Sequence, residues 1–180
     1  MPGNGDIIMI ISAQLIGAIA MALLFVTYQI NNRKTILTFQ IIIAVCWSVH
    51  YSLLGAASGI VINLICILRN ILFYNRNSGS WTDNTIIPVS ICASEVLLTL
   101  LVWREPVDIL AMIGASLQTT ALWMKTPRLI RIVMISASPL WLIYDYFNGS
   151  YVGIATEILV MISIVIAICK YDVPNMRKSG

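Results

Sequence analysis

The stretch WSVHYSLLGAASGIVIN, residues 47–63, recurs in outline 94 positions later as WLIYDYFNGSYVGIATE, residues 141–157. The matching positions are Trp47 with Trp141, Gly55 with Gly149, Gly59 with Gly153, Ile60 with Ile154, and Asn63 with Glu157. All of these pairs except the last are identities, and the chain between the two copies is strongly apolar. In a membrane protein, a half-chain repeat of this kind is typical of transporters, whose sites form where two repeats meet near the bilayer midplane.

The composition excludes a soluble domain. The chain is 59% hydrophobic and only 11% charged, with a mean hydropathy of +0.88. A helix of about 20 residues, rising about 1.5 Å per residue, crosses the roughly 30 Å hydrocarbon core of a bilayer. Seven apolar segments approach that length, at 7–29, 35–54, 57–74, 86–103, 107–124, 128–147 and 152–170. The loops that remain are too short for a soluble domain, so the function is expected to lie inside the membrane.

The basic residues predict the orientation of the chain. If the N-terminus is outside, ten of the eleven lysines and arginines fall in or beside inner loops, and only Arg104 falls outside. The inner set is Arg33, Lys34, Arg69, Arg76, Lys125, Arg128, Arg131, Lys170, Arg177 and Lys178. Positive residues accumulate on the cytoplasmic side of membrane proteins. The sequence therefore predicts an outside N-terminus and a cytoplasmic C-terminus, and the net charge of +3 reflects topology rather than nucleic-acid binding.

The 94-residue offset also organises the whole chain. It pairs segments 2 and 3 with segments 6 and 7 and, extended backwards, segment 1 with segment 5; Lys34 then aligns with Arg128. Because segments 1 and 5 cross in the same direction, the two triplets are expected to be parallel repeats related by an axis along the membrane normal. The prediction is one all-α membrane domain over 1–180, with seven transmembrane helices in a 3+1+3 order. Its parts are a first triplet at 7–74, a linker helix at 86–103, a second triplet at 107–170, and a cytoplasmic tail at 171–180.

This 3+1+3 plan resembles the SWEET sugar transporters, whose bacterial SemiSWEET relatives assemble the same object from two separate triplets. In that superfamily the sugar pocket uses a Trp on the second helix of a triplet and an Asn on the third. Trp47 and Asn63 match this pair in the first triplet. In the second triplet Trp141 matches the Trp, and Glu157 replaces the Asn.

The runs HYSLLGAASGIVINLICILRN (50–70) and WLIYDYFNGSYVGI (141–154) are similar to the YgjV family of bacterial inner-membrane proteins, over essentially the whole chain. This resemblance implies a location in the bacterial inner (plasma) membrane. SWEET-like proteins carry a proline hinge in the first helix of each triplet, which is absent from segments 1 and 5 here. Gly17 and Gly114 are the remaining candidate hinges.

Four residues are the candidate substrate-binding set: Trp47, Asn63, Trp141 and Glu157. Two indole faces would flank a small solute while the polar groups bind its hydroxyls. The alternative is that the indoles fill helix crossings and that Asn63 forms a hydrogen bond between helices. An ionisable group within a span costs several kcal/mol unless it is paired, protonated or facing water, so Glu157 is a functional candidate for proton coupling or for a cationic substrate. Its alternative role is a static pair with a nearby donor.

The expected periphery of the pocket is His50, Tyr51, Tyr144 and Asp145. Asp145 either lines an entrance or caps the turn that follows it. His50 is the only histidine, and a satisfied interior histidine is its commoner role. With no second histidine and no clustered cysteines, neither a metal nor a cofactor is expected. Glu95, on the linker helix, is expected to make a structural hydrogen bond.

The sequence therefore predicts a transporter that moves a small polar solute by alternating access, with proton coupling as a further expectation. The solute would be sugar-like, or like a vitamin or nucleoside. The alternative is a membrane scaffold or sensor that keeps the fold without transport. No catalytic motif indicates an enzyme. The expected partners are a small molecule and the lipid bilayer, without nucleic acid, and a homo-oligomer is compatible with the sequence. A carrier needs a polar-lined cavity between the triplets, whereas a scaffold would be packed there with apolar side chains.

Overall fold

The computed structural model describes residues 4–27, 33–76, 81–124 and 127–172, and these residues form helices and short turns without any strand. The helices are α1 (Asn4–Thr27), α2 (Arg33–Leu54), α3 (Ala57–Tyr74), α4 (Ile86–Leu101), α5 (Asp108–Trp123), α6 (Pro127–Phe147) and α7 (Tyr151–Ala167). A 3₁₀ turn at Trp81–Asp83 precedes α4, and a π-helical turn at Ile168–Asp172 extends α7. Seven helices therefore lie where the hydropathy pattern predicts them.

Five of these helices, α1, α2, α3, α6 and α7, are long and apolar enough to cross a membrane. Helices α4 and α5 have 16 residues each, or about 24 Å at about 1.5 Å per residue, which is shorter than the roughly 30 Å core. The large side chains on the outside of the protein are apolar: Leu15 is 63% exposed, Leu101 80% and Ile166 60%. An apolar exterior of this kind is suited to lipid rather than water.

Six of the helices close into a ring. Helix α1 packs on α2, α2 on α3, α3 on α5, α5 on α6, α6 on α7, and α7 returns to α1. Helix α4 lies outside this ring, against α3 and α5. The ring encloses a space between the first three helices and the last three, and the polar residues of the apolar segments converge on this space.

Two tight turns, α2–α3 and α6–α7, hold one end of the ring together. Gly55 and Gly149 take positive φ values of 73° and 66°, a conformation that costs other L-residues about 1–2 kcal/mol. Tyr51 and Tyr144, one turn of helix before these glycines, pack edge to face with ring centroids 5.7 Å apart. We call this end of the ring the turn end.

One basic residue lies differently from the prediction, and the side of the membrane on which the others lie stays a prediction. Arg76 follows α3, pairs with Asp83 at 2.7 Å, and lies over the ring of Trp123 at 3.5 Å. Arg69 is counted with the inner loop after segment 57–74, but in the structure it lies within α3 and is buried in the protein, at 3% exposure. It is therefore an intramembrane residue rather than a topology signal. Lys125, Arg177 and Lys178 lie outside the described residues, as does most of the predicted tail at 171–180.

Candidate functional site

A cavity of about 150 Å³ lies inside the ring, between the first three helices and the last three. Its walls come from α1, α2, α3, α5, α6 and α7. The polar side chains of the lining are Gln40, Asn63, Arg69, Asn70, Gln118, Ser138, Asp145, Thr156 and Glu157, and its aromatic side chains are Trp47, Tyr51 and Trp141. The volume is below the roughly 300–1,000 Å³ of typical drug-sized pockets, so the cavity suits a small solute.

All four residues predicted to bind substrate border this one cavity. Trp47 is half-buried and stacks on Tyr51 at 5.8 Å between ring centroids, whereas Trp141 is only 6% exposed. Asn63 donates from Nδ2 to the backbone oxygen of Gly59 at 2.9 Å, within its own helix. This hydrogen bond does not join two helices, so the geometry departs from the interhelical role considered as the alternative for Asn63.

Three buried polar atoms on the cavity wall have no hydrogen-bond partner among the described residues. They are the indole Nε1 of Trp141, the amide Nδ2 of Asn70, and the carboxyl Oε2 of Glu157. Buried polar groups in native proteins are nearly always hydrogen-bonded, so each exception calls for an explanation. The side chains that border the cavity therefore carry two N–H donors and one carboxyl oxygen that the packing of the described residues leaves without a partner.

The turn end of the cavity is sealed by a hydrogen bond between its two sides. Tyr51 on α2 donates its hydroxyl proton to Oδ1 of Asp145 on α6 at 2.7 Å. Asp145 is 2% exposed and borders the cavity, so it lines the closed end rather than an open entrance. Side chains near the opposite end, such as Leu24, Leu122 and Val160, are half-buried. The Tyr51–Asp145 contact therefore closes the turn end of the cavity.

His50 and Tyr144 are the other two residues predicted at the periphery of the pocket. In the described part of the chain, neither borders the cavity. The Nδ1 of His50 bonds to the backbone oxygen of Ala13 at 2.7 Å, and its Nε2 bonds to Ser150 Oγ at 2.8 Å. Both ring nitrogens are thus satisfied, as expected of a structural histidine. Tyr144 bonds through its hydroxyl to Ser58 Oγ and accepts from the backbone N–H of Gly59, both at 2.8 Å.

Sequence reasoning missed two polar residues that tie α1 and α5 to the two turns. Gln14 donates to the backbone oxygen of Gly149 at 2.9 Å and accepts from the backbone N–H of Val152 at 3.1 Å. Asp108 accepts from the hydroxyl of Ser58 on the other turn. The signal was present, because Gln14 and Asp108 are themselves 94 residues apart.

Arg69 and Asn70 are a second omission. Arg69 donates from Nη1 to Thr119 Oγ1 at 3.1 Å and from Nε to Asn70 Oδ1 at 3.3 Å. Thr119 in turn donates to Oε1 of Glu95 at 2.8 Å. Glu95 therefore makes the structural hydrogen bond expected of it, and this bond leads from the outer helix α4 to the cavity wall. An arginine and an asparagine inside an apolar segment were the overlooked signal.

The two candidate hinges lie within regular helices and each faces an aromatic ring. A Cβ atom added at Gly17 would lie 2.9 Å from His50 Nδ1, and one added at Gly114 would lie 2.9 Å from Trp141 Nε1. These glycines thus make room for the rings, and their role as hinges stays a prediction. Within the described ranges, no group of three or more metal-binding side chains comes together.

Comparison with known proteins gives one match. A family model described as a bacterial inner membrane protein, Imp-YgjV, matches residues 11–174. No curated protein and no solved structure matches the chain.

Proposed function

We propose that this chain, which belongs to the Imp-YgjV family of bacterial inner membrane proteins, transports a small polar solute across that membrane by alternating access. The observation that carries the proposal is the polar cavity of about 150 Å³ between the first three and the last three helices. Its wall holds Trp47, Asn63, Trp141 and Glu157 together with three unpartnered polar atoms. A scaffold without transport would be expected to fill this space with apolar side chains, because a buried polar group without a partner costs stability.

A 3+1+3 arrangement with two parallel repeats is the architecture that we propose. Contacts at the turn end support it, because they recur at the repeat offset. The contact of Gln14 with Val152 corresponds to the contact of Asp108 with Ser58 when each residue is moved by 94 positions. Such an exchange of partners is what a two-fold relation between two halves produces.

The hydrogen bond between Tyr51 and Asp145 is a second support. These two residues are 94 positions apart, so they occupy equivalent places in the repeat, and yet they touch. Equivalent residues of two halves related by a two-fold axis can meet only near the axis itself. A pseudo-two-fold axis through the Tyr51–Asp145 contact and along the cavity accounts for this geometry.

Alternating access would then proceed by rocking of the two halves about the cavity. In the proposed orientation the turn end faces outside, so the present conformation corresponds to a carrier closed to the outside. Opening toward the outside requires the Tyr51–Asp145 hydrogen bond to break, together with the contacts of Gln14 and Asp108. Their breakage would free the α2–α3 and α6–α7 turns to separate.

Proton coupling through Glu157 is the further part of this proposal. Its Oε2 is buried and unpartnered on the cavity wall, whereas the equivalent residue of the first half is the neutral Asn63. A charged carboxylate in this place costs several kcal/mol unless something compensates it. A proton or a bound cation on Glu157 would remove that cost, and the need for compensation can change as the site opens to either side.

The experiment that tests transport uses the purified protein in a thermal-shift screen of sugars, nucleosides and vitamins, followed by uptake of any hit into proteoliposomes. A ligand that binds the folded state must stabilise it. Asn63→Ala should reduce uptake at least tenfold. The matched control is Asn75→Ala, because Asn75 makes the same hydrogen bond to its own helix, to Ile71 at 2.9 Å, but is exposed and outside the cavity. Equal uptake by the two variants would contradict the proposed site.

The proposed orientation has its own test. A reporter fused after Gly180 should be cytoplasmic, and a cysteine placed in the 148–151 turn should react with a membrane-impermeant reagent from outside. These measurements need a background without the four native cysteines. Reaction only from the cytoplasmic side would reverse the orientation without affecting the cavity.

A further inference from the structure

The cavity holds two carboxyl groups that no basic residue of its wall balances directly. Asp145 has only neutral hydrogen-bond partners, the side chains of Tyr51 and Ser150. Glu157 lies beside the hydroxyl of Ser138, and its Oε2 has no partner among the described residues. Within the described lining, Arg69 is the only basic side chain. The net charge of the cavity wall therefore depends on whether Arg69 neutralises these two carboxyl groups or a different acidic residue.

Arg69 is directed away from both carboxyl groups, toward α4. Its Nη1 donates to Thr119 at 3.1 Å, and Thr119 donates onward to Oε1 of Glu95 at 2.8 Å. Glu95 is fully buried behind this threonine and lies within electrostatic reach of Arg69. The two opposite charges offset each other, as buried charges must.

The remaining ionisable groups of the cavity wall are acidic. His50 has both ring nitrogens occupied by Ala13 and Ser150, and it does not border the cavity in the described part of the chain. Asp145 and Glu157 thus give the described cavity wall acceptor groups to which Arg69, bonded to Thr119 and Asn70, donates no hydrogen bond. A carboxylate inside a membrane protein needs a positive partner, a proton or water.

The aromatic side chains of the cavity are suited to the same kind of ligand. Trp47 and Tyr51 stack at 5.8 Å, and Trp141 forms another part of the wall. The faces of tryptophan and tyrosine rings carry negative electrostatic potential and attract organic cations, most strongly when water is excluded. A neutral sugar would use the indole faces but would supply no positive charge to the carboxyl of Glu157, whose Oε2 has no partner among the described residues.

The unpartnered donors add a second requirement. The indole N–H of Trp141 and the amide of Asn70 are buried, at 6% and 0% residue exposure, and both border the cavity without a partner among the described residues. Both would be satisfied by an oxygen acceptor on the ligand. We infer that the solute is a small organic cation that also carries a hydroxyl or carbonyl oxygen, as an amino alcohol does. This inference rests on the proposed transport function and names its substrate class.

The test compares cations with uncharged molecules of the same shape. Ethanolamine and choline, which are cations at pH 7.5, are titrated against the purified full-length protein while tryptophan fluorescence is followed. Propan-1-ol and 3,3-dimethylbutan-1-ol are their neutral counterparts, since carbon replaces the charged nitrogen. Each cation should bind with a Kd at least tenfold lower than its neutral counterpart.

Variants then assign the selectivity to the two carboxyl groups. Glu157→Gln should bring the ratio between cation and neutral analogue to within about threefold, and Asp145→Asn should lower it in the same direction if Glu157→Gln fails to fold. The matched control is Glu105→Gln, since Glu105 is exposed between α4 and α5 and should leave the ratio unchanged.

Several outcomes would overturn the inference. These are equal binding of cations and neutral analogues, a response to sodium ions alone, or no response to either organic cation. If neutral solutes bind and are taken up while organic cations are not, the inference fails and the proposed transport stands. If the cations bind selectively but no solute crosses proteoliposomes, the proposed transport fails and the inference about the ligand stands.

Discussion

The first three helices and the last three helices have the same layout at the turn end but differ in charge. At three pairs of positions 94 residues apart, the first half has a neutral side chain where the second half has an acid: Gln14 and Asp108, Tyr51 and Asp145, and Asn63 and Glu157. All six residues lie on helices of the ring, and four of them border the cavity. The comparison teaches that contacts at the turn end recur at the 94-residue offset, while both acidic residues of the described cavity lining come from the second half.

The neutral half compensates the acidic half in one of these pairs. Tyr51 donates a hydrogen bond to Asp145 across the interface between the halves. Asn63 does not do the same for Glu157, because its amide donates to Gly59 in its own helix and Oε2 of Glu157 stays unpartnered among the described residues. Asp145 has a hydrogen bond from the first half, whereas Oε2 of Glu157 has none. We therefore infer two roles, a closing contact for Asp145 and a ligand contact for Glu157.

The largest difference in the free energy of unfolding is expected between the variants Trp141→Ala and Trp47→Ala. Trp141→Ala should destabilise the fold by about 3–5 kcal/mol, because Trp141 is only 6% exposed and packs edge to face on Tyr144. Trp47→Ala should destabilise it less, since Trp47 is half-buried. Solute binding should be lost in both. Thermal unfolding and binding titrations would measure this, with Trp81→Ala as the control because Trp81 is 71% exposed. Unchanged binding in Trp47→Ala would remove it from the site.

Loss of the Tyr51–Asp145 hydrogen bond at the turn end is expected to have the next largest effect on the free energy of unfolding. Tyr51→Phe removes one of the two hydroxyl donors to the buried carboxyl of Asp145 and should cost about 1–3 kcal/mol, the penalty of removing the partner of a buried polar group. The turn end should also open more often, so that a cysteine at Thr156 reacts faster with a reagent added on that side. Tyr146→Phe is the control, since Tyr146 is 69% exposed. Equal reactivity in the two variants would argue against a closing role for Tyr51.

The two turns offer a comparison in which the halves should behave alike. Gly55→Ala and Gly149→Ala should each cost about 1–2 kcal/mol, because both glycines have positive φ. Among the residues that the structure describes, no side chain lies within 4 Å of a Cβ built at either glycine, so the cost is conformational rather than steric. Asparagine tolerates this conformation better and should restore part of the loss at both sites. A large difference between the two turns, measured by thermal unfolding, would count against equivalent halves.

The smallest free-energy effect is expected from Glu157→Gln, which keeps the shape of the side chain and removes its ability to ionise. In proteoliposomes with a gradient of one pH unit, acid outside for cotransport or acid inside for exchange of a cation against the proton, coupling to one proton supports at most about tenfold accumulation, or about 1.4 kcal/mol. Glu157→Gln should retain solute exchange and lose this accumulation, whereas Asn63→Asp should keep it. Equal accumulation by the wild-type protein and Glu157→Gln would rule out proton coupling through this residue.

Much of the fold follows from the sequence because hydropathy acts locally. An apolar run must satisfy its backbone hydrogen bonds within itself inside a membrane, so each run predicts a helix. The boundaries of α3 at 57–74 and of the start of α4 at 86 were predicted without error. The length of α5 was overestimated, because the apolar segment includes Val107 and Met124, which lie just outside the helix.

The candidate site was predicted in part, through the repeat. A repeated Trp and a polar residue at one spacing identified four residues that border one cavity. The position of Arg69 could not be predicted by counting charges near loops, because an arginine near the end of a helix can point either to the membrane surface or into the protein. Only the neighbouring Thr119 and Glu95 decide that it points inward.

The sequence by itself determined that this protein is helical, that it belongs in a membrane, and that Trp47, Asn63, Trp141 and Glu157 form a set. Hydropathy and internal repetition are properties of the chain alone, so they need no knowledge of partners. The tertiary structure decided which polar atoms stay unpartnered, that Tyr51 meets Asp145, and that Arg69 faces Glu95 rather than the carboxyl groups of the cavity. The physical reason is that hydrogen bonds and charge compensation depend on distances between helices that are far apart in sequence, and only the packed ring fixes those distances.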